Sequence, residues 1–238
     1  MTYVGSSRLL PAAPRNARGQ ALEIIRQKII TLELAPGSQL SENELAGQLG
    51  LSRTPIRESL ILLAEEQLVS VVPQVGTLVS PIVEAEIATS QFVRESLELA
   101  ALSEAVDVVD AGQLADLNAV IAEQRVADER DDTELFFALD EHFHFALMNI
   151  SQHGSAWRTV SQAKAHLDRA RRLSLSLTQQ MSTLIDQHQS IVDALAGGDS
   201  RAATDALRRH LRKVFDDIAL IRADRPELFD PPASSRRR

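Results

Sequence analysis

The chain has 238 residues, 44% hydrophobic and 4% aromatic, which is enough for two modest domains with helical cores. It has no cysteine, which excludes a disulfide framework and thiolate metal sites, and no signal peptide or long apolar run is legible, which points to a cytoplasmic protein without a membrane segment. The net charge of −8 is uneven: residues 1–80 carry seven Lys and Arg against seven Asp and Glu, so the excess acid belongs to the remainder, with 18 basic against 26 acidic residues.

Residues 1–18 hold prolines, small residues and Arg8, Arg15 and Arg18 without periodicity, and read as a flexible N-terminal arm. A first helix is predicted from about Gln20 to Leu32 on the stripe Leu22, Ile25, Ile29 and Leu32, ended by Pro36 and Gly37. From Ser41 to Gly76 come two short amphipathic helices, a polar turn between them and an alternating hairpin. Leu45 and Leu49 share one face of the first helix, and Gly50 supplies its left-handed cap. Ser52 caps the second, Pro55 sits in its first turn, and Ile56, Leu60 and Leu63 form its buried stripe. Strands are expected near Leu68–Val72 and Thr77–Val79, with Pro81 at a domain junction.

This order is that of a winged helix-turn-helix over residues 19–80, in which one helix enters the DNA major groove. Arg53 and Arg57 lie four apart on the outward face near the N-terminus of the second helix, and a guanidinium fork matches guanine O6 and N7. The plain alternative is an arginine-bearing surface helix of an unrelated helical domain. The run LAGQLGLSRTPIRESL resembles the DNA-reading signature of GntR-type bacterial regulators, built around a similar S-R-T-P-hydrophobic-R-E core. The resemblance implies that Ser52, Arg53, Thr54 and Arg57 belong to the DNA interface, with the arginines on bases and Thr54 on phosphate, and that Gly76 lets the wing tip approach the backbone. The chain departs from the family pattern at Asn43, often arginine, and at Val75, often basic.

Beyond Val83 helices are predicted near 83–110, 112–130, 132–151, 155–176, 179–196 and 200–223, a C-terminal antiparallel six-helix bundle over 83–223 followed by a tail over 224–238. The fold class is therefore mostly α. Phe137, Asp140, His144 and Leu147 share one helical stripe, as do Leu184, His188, Ile191 and Leu195, and Leu207, His210, Val214 and Ile218. Taken singly, each histidine reads as a hydrogen-bonded core residue. Together, three imidazoles and one carboxylate are the donors that a borderline divalent cation takes. His142 falls on another face, His153 reads as a turn residue, His166 as cavity-lining or solvated, Trp157 as core, and the run Arg169 to Arg172 as a solvated face.

The runs VRESLE, FALDEHFHFALMNIS, HQSIVDALAGGD and RRHLRK resemble the ligand-sensing domain of the FadR subfamily of GntR regulators, with Gln152 and His153 replacing a frequent Gly-Asn. That resemblance implies that Asp140, His144, His188 and His210 bind one divalent metal ion per chain, zinc foremost and nickel or manganese also compatible. It also implies that Arg94 grips an anionic effector, although Glu98 four residues on offers it an ion pair instead. The reading is a homodimeric transcriptional regulator that binds a pseudo-palindromic double-stranded DNA operator and senses a small organic acid. By resemblance it is a repressor relieved by ligand. The competing readings are a metal-dependent hydrolase, which lacks an evident general base, and a regulator whose metal is structural or is itself the signal. Metal affinity is expected to fall below pH ~6.5, where free imidazoles protonate.

Overall fold

A computed structural model of the protein describes residues 16–178 and 181–230, without the side chains of residues 176–178. Most of the expected N-terminal arm lies outside the described residues, but its last residues do not: Asn16 caps helix α1 (Ala17–Ile30) by accepting from Gly19 N–H at 2.7 Å. The helix therefore starts and ends earlier than the apolar stripe predicts, with Leu32 beyond it at φ 62°.

Helix α2 (Glu42–Leu49) is capped by Ser41 and stopped by Gly50 at φ 64°, a conformation that glycine adopts at no steric cost. Helix α3 (Arg53–Glu65) starts after Ser52, whose backbone is extended as at a cap but whose hydroxyl makes no capping bond. Ile56, Leu60 and Leu63 are buried, as their spacing requires, and α3 packs on α1, where Ile25 and Ile29 are buried too.

Strand β1 (Gln39–Leu40), β2 (Val69–Val72) and β3 (Gly76–Val79) form an antiparallel sheet in the order β1-β3-β2. Val71 faces Thr77 across the hairpin and Gln39 faces Leu78 on the other edge. Two residues are too few to show alternation, so β1 leaves no signal in the sequence. Gly76 at φ 121° carries the turn of the wing, where an added Cβ would lie 3.1 Å from Gln39 Nε2.

The described residues 16–82 and 227–230 form one compact unit, and 83–226 form a second apart from 179–180. The C-terminal segment belongs to the first: Ile82 N–H donates to Leu228 O at 2.8 Å and Asp230 N–H to Ile82 O at 2.9 Å, with Leu228 and Phe229 buried.

The second unit comprises α4 (Glu84–Ala105), α5 (Ala111–Glu129), α6 (Thr133–Ile150), α7 (Trp157–Ala163), α8 (Ala165–Thr178), α9 (Met181–Ala196) and α10 (Ser200–Asp224). Asp110 and Gln113 form a reciprocal capping box at α5, while Asp132 and Asp199 cap α6 and α10. One apolar core runs through Leu102, Leu117, Phe136, Phe143, Ile185 and Leu207. The predicted helix 155–176 is two helices, so the described bundle has seven where six are expected. The break falls at Lys164, with no proline or glycine to mark it, where the ammonium is buried against Glu141 at 2.6 Å and against Asp168. Among the described residues no helix is long and apolar enough to cross a membrane.

Candidate metal centre and nucleic-acid interface

The periodicities that put Asp140 and His144 on α6, His188 on α9 and His210 on α10 converge at one point of the bundle. One ligand atom from each of the four lies within 4.8 Å of all the others, and all four residues are buried. His210 Nε2 stands 3.0 Å from His144 Nε2 and 3.2 Å from His188 Nε2, and Asp140 Oδ1 is 3.5 Å from His188 Nε2.

The outer face of each ring determines what these short distances mean. His144 Nδ1 lies 2.7 Å from Glu98 Oε2, His188 Nδ1 2.9 Å from Gln124 Oε1, and His210 Nδ1 3.0 Å from Gln187 Oε1. Burial alone would raise the Glu98 carboxyl, but Arg94 and His144 overcome it and hold the group at about 2, so Glu98 only accepts. With amide oxygens at the other two, each Nδ1 carries the proton and each Nε2 turns a bare lone pair inward. Three lone pairs within hydrogen-bond distance, with no proton between them, repel one another unless a cation sits among them. Asp140 Oδ1 is buried without a hydrogen-bond partner at the same point. A neutral-imidazole set with one carboxylate is the donor chemistry of a zinc-like divalent ion, and the residues present fit it.

Charge is arranged to match. Burial would raise Asp140, yet the Arg171 guanidinium on its Oδ2, with His144 and His188, holds it well below the usual carboxylate range. Burial pushes His188 down to about 3 against the pull of Asp140, and pushes His210 well below its ordinary value. The unfolded chain, with histidines near 6.5, then binds more protons than the folded one below that pH. The contribution of these two histidines to the stability of the metal-free bundle is therefore full above pH ~6.5 and falls as pH drops below it, by up to ~1.4 kcal/mol per pH unit for each. A denaturant midpoint of chelator-treated protein that is lower at pH 5.5 than at 7.5 is expected; equal midpoints would contradict it.

Arg94 forms the ion pair that Glu98 offers it. It is 2% exposed, its Nε donates to Glu98 Oε1 at 2.7 Å, and its Nη2 has no partner while the side chain lines a cavity that His210 also lines. The Arg169 to Arg172 run corrects the sequence reading. It is no solvated face, because α8 is packed by α4, α6 and α10; Arg169 is buried, with its guanidinium pushed down to about 10, and Arg171 pairs with Asp140 and Glu141. His166 is also buried, 3.4 Å from the Val83 N–H, whereas His142 is half-buried outside the ligand set and His153 pairs with Glu104 at the surface. Trp157 is half-buried against Ala101, Met148 and Val160. Gln124, Gln187 and Arg171, which orient the ligands, escape a search by residue type because glutamine and arginine carry no ligand signature.

In the first unit Arg53, Thr54 and Arg57 are all exposed on the first turns of α3, behind Ser52, and Gly76 is exposed on the wing. The structure adds Glu42, whose carboxylate lies 3.1 Å from Arg53 Nη2 and 3.2 Å from Arg57 Nε. Such exposed pairs are worth about 0–1 kcal/mol, so they aim the guanidinium groups without locking them.

Residues 17–79 match the family described as bacterial regulatory proteins, gntR family, and residues 91–213 match the FCD domain. The chain is 49% identical over 211 residues to an HTH-type transcriptional regulator in an unstable DNA locus of Streptomyces ambofaciens, covering 89% of each chain. It is 33% identical over 223 residues to the HTH-type transcriptional repressor RspR of Escherichia coli K12, covering 94% of this chain and 97% of that one. Among solved structures, E. coli McbR/YncC superposes with a TM-score of 0.72 at 22% identity, over 88% of this chain and 98% of that one, which shows a shared fold. The winged helix-turn-helix, the helical second unit and these relatives together place the chain in the GntR family of DNA-binding transcriptional regulators, with an FCD domain following its helix-turn-helix.

Proposed function

We propose that the protein is a cytoplasmic, homodimeric repressor that reads a pseudo-palindromic operator and leaves it when a small organic acid binds at a metal centre in the second unit. The observation that carries this is the convergence of three inward Nε2 lone pairs and one unpartnered carboxylate oxygen beside a cavity lined by Arg94, whose Nη2 has no hydrogen-bond partner. Asp140, His144, His188 and His210 would hold the ion, zinc foremost and nickel or manganese also compatible. When bound, that ion supplies a Lewis-acidic position for a carboxylate. Arg94 supplies a second, permanently charged contact for the same group, already desolvated and prepared.

Arg53 and Arg57 read bases, Thr54 contacts phosphate, Ser52 belongs to the same DNA interface, and Gly76 allows close approach of the wing. One short helix touches too few base pairs for genomic selectivity, which supports a dimer on two half-sites. Ligand acts by favouring one dimer geometry over another, and so by changing operator affinity.

The test is fluorescence anisotropy of a labelled operator with metal-loaded full-length protein, titrated with a panel of carboxylates. At least one acid should weaken binding by about 5- to 150-fold, the usual range of allosteric coupling. Metal-loaded protein that releases operator for no acid, and only on chelation, would mean that the ion is structural or is itself the signal.

A further inference from the structure

The three-stranded sheet of the first unit is built without charge. Residues 34–41, which include β1, and residues 67–83, which include β2, β3 and the turn between them, contain no Lys, Arg, Asp or Glu. A wing of this composition releases no counterions from DNA, so its grip depends on neutral hydrogen bonds. Val71 and Val75 are exposed on it, and their side chains have no donor to give. Gln39 reaches the tip from the neighbouring strand. Its Nε2 donates to Val75 O at 2.6 Å, while Val75 N–H donates to Val72 O at 3.1 Å, so the tip is held from both sides. A carbonyl accepts only from the nitrogen of an amide, which fixes how the Gln39 amide is turned. A primary amide has two N–H groups, so a second remains on this exposed side chain. Three residues along, the Glu42 carboxylate lies against Arg53 and Arg57. Residues 39–42 therefore touch the wing at one end and the arginines of α3 at the other, with Leu40 buried between them as an anchor.

We infer that Gln39 is the DNA contact of this charge-free wing: it holds the tip through Val75 O and gives its second amide N–H to a hydrogen-bond acceptor on the DNA beside the bases that α3 reads. The inference rests on α3 as the recognition helix. An amide already oriented by Val75 O loses less rotamer freedom on binding than an unrestrained one. Two kinds of acceptor take such an N–H, a phosphate oxygen and the minor-groove edge of an A·T pair, which shows only adenine N3 and thymine O2. A G·C pair adds an amino group at that edge and opposes the contact. Glutamine is among the side chains with which proteins read the minor groove. The cation often found before the wing glycine is replaced here by Val75, and Gln39 supplies a neutral donor at the same tip.

The probe is a duplex enriched from a random-sequence library by the full-length protein, and binding is followed by fluorescence anisotropy at several salt concentrations. Gln39→Ala should weaken binding by about fivefold or more, the worth of one hydrogen bond, with the slope of log K against log salt unchanged because a neutral residue displaces no counterion. Val75→Lys should steepen that slope by about 0.9 for each phosphate it reaches. Two scans of the duplex then name the acceptor. Single methylphosphonate linkages each neutralise one phosphate. Single A·T pairs are replaced by G·C or by inosine·C, which lacks the minor-groove amino group. A methylphosphonate, or a G·C pair that inosine·C does not imitate, should cost the wild type about fivefold and cost Gln39→Ala nothing, and that position is the contact. Wild-type affinity in Gln39→Ala, or a loss of equal size on every modified duplex, means that the amide does no more than brace the turn; either result overturns the inference while α3 keeps its role. A library from which no duplex is enriched overturns both.

Discussion

Arg53→Ala and Arg57→Ala are each expected to abolish discrimination between operator and scrambled duplex while the protein stays folded. The two side chains are exposed at the start of α3 and their partner within the chain is Glu42, so their removal costs the fold little. Each bidentate contact with a guanine edge is worth about 1–3 kcal/mol of discrimination, and the proposed symmetric dimer would lose it at both half-sites, a combined factor of roughly 30 to 2 × 10⁴. Mobility shifts at one fixed salt concentration, against specific and scrambled duplexes, measure this directly. Thr54→Ala should instead weaken both duplexes alike, because a phosphate contact positions without reading sequence. Unchanged discrimination in both arginine variants would remove α3 from the role of recognition helix.

The second large effect concerns the ligands of the bundle. His188→Ala or His210→Ala should lower divalent metal affinity by roughly a hundredfold or more, because one of four donors is removed from a site of the kind worth ~10–16 kcal/mol. The rise in thermal midpoint on adding metal should vanish with it, since the remaining donors no longer tie α6, α9 and α10 together. That metal-dependent increment, rather than the midpoint itself, separates coordination from packing, because His188 also stacks on Phe143 with ring centroids 4.2 Å apart. His142→Ala, outside the cluster, is the control and should retain full metal. Elemental analysis of protein purified without affinity-tag nickel gives the readout. Wild-type protein that holds no metal, with the same midpoint in chelator and in zinc, would assign the three imidazoles to hydrogen bonding alone.

The parts of this molecule that were legible in the sequence are those in which one residue type has one physical use. Gly50 had to be left-handed, the stripe of α3 had to face inward, and histidines on three apolar faces had to converge or be wasted as buried polar groups. The parts that escaped depend on partners far along the chain. Asp217 is a charged residue in an acidic protein until α8 brings Ser174 against it. Lys164 reads as ordinary helix until Glu141 and Asp168 draw its ammonium into the interior and the helix breaks there. The pairing of Ile82 with Phe229 joins positions 147 residues apart, and the local pattern around Phe229 gives no hint of it.

The burial of the four ligands has a consequence in time. Asp140, His144 and His188 are 0% exposed and His210 is 5% exposed, so none of the four can swing into solvent to release an ion without its helix moving. Exchange of an ion held by them requires α9 or α10 to separate from its neighbours, and its rate is that of local opening of a packed bundle, with the core of Ile185, Leu207 and Leu211 resisting it. Residence is then long compared with the lifetime of a message carried by a small molecule. A metal centre of this kind would be acquired once, near the time of folding, and carried as part of the protein, leaving any faster exchange to a ligand of the neighbouring cavity.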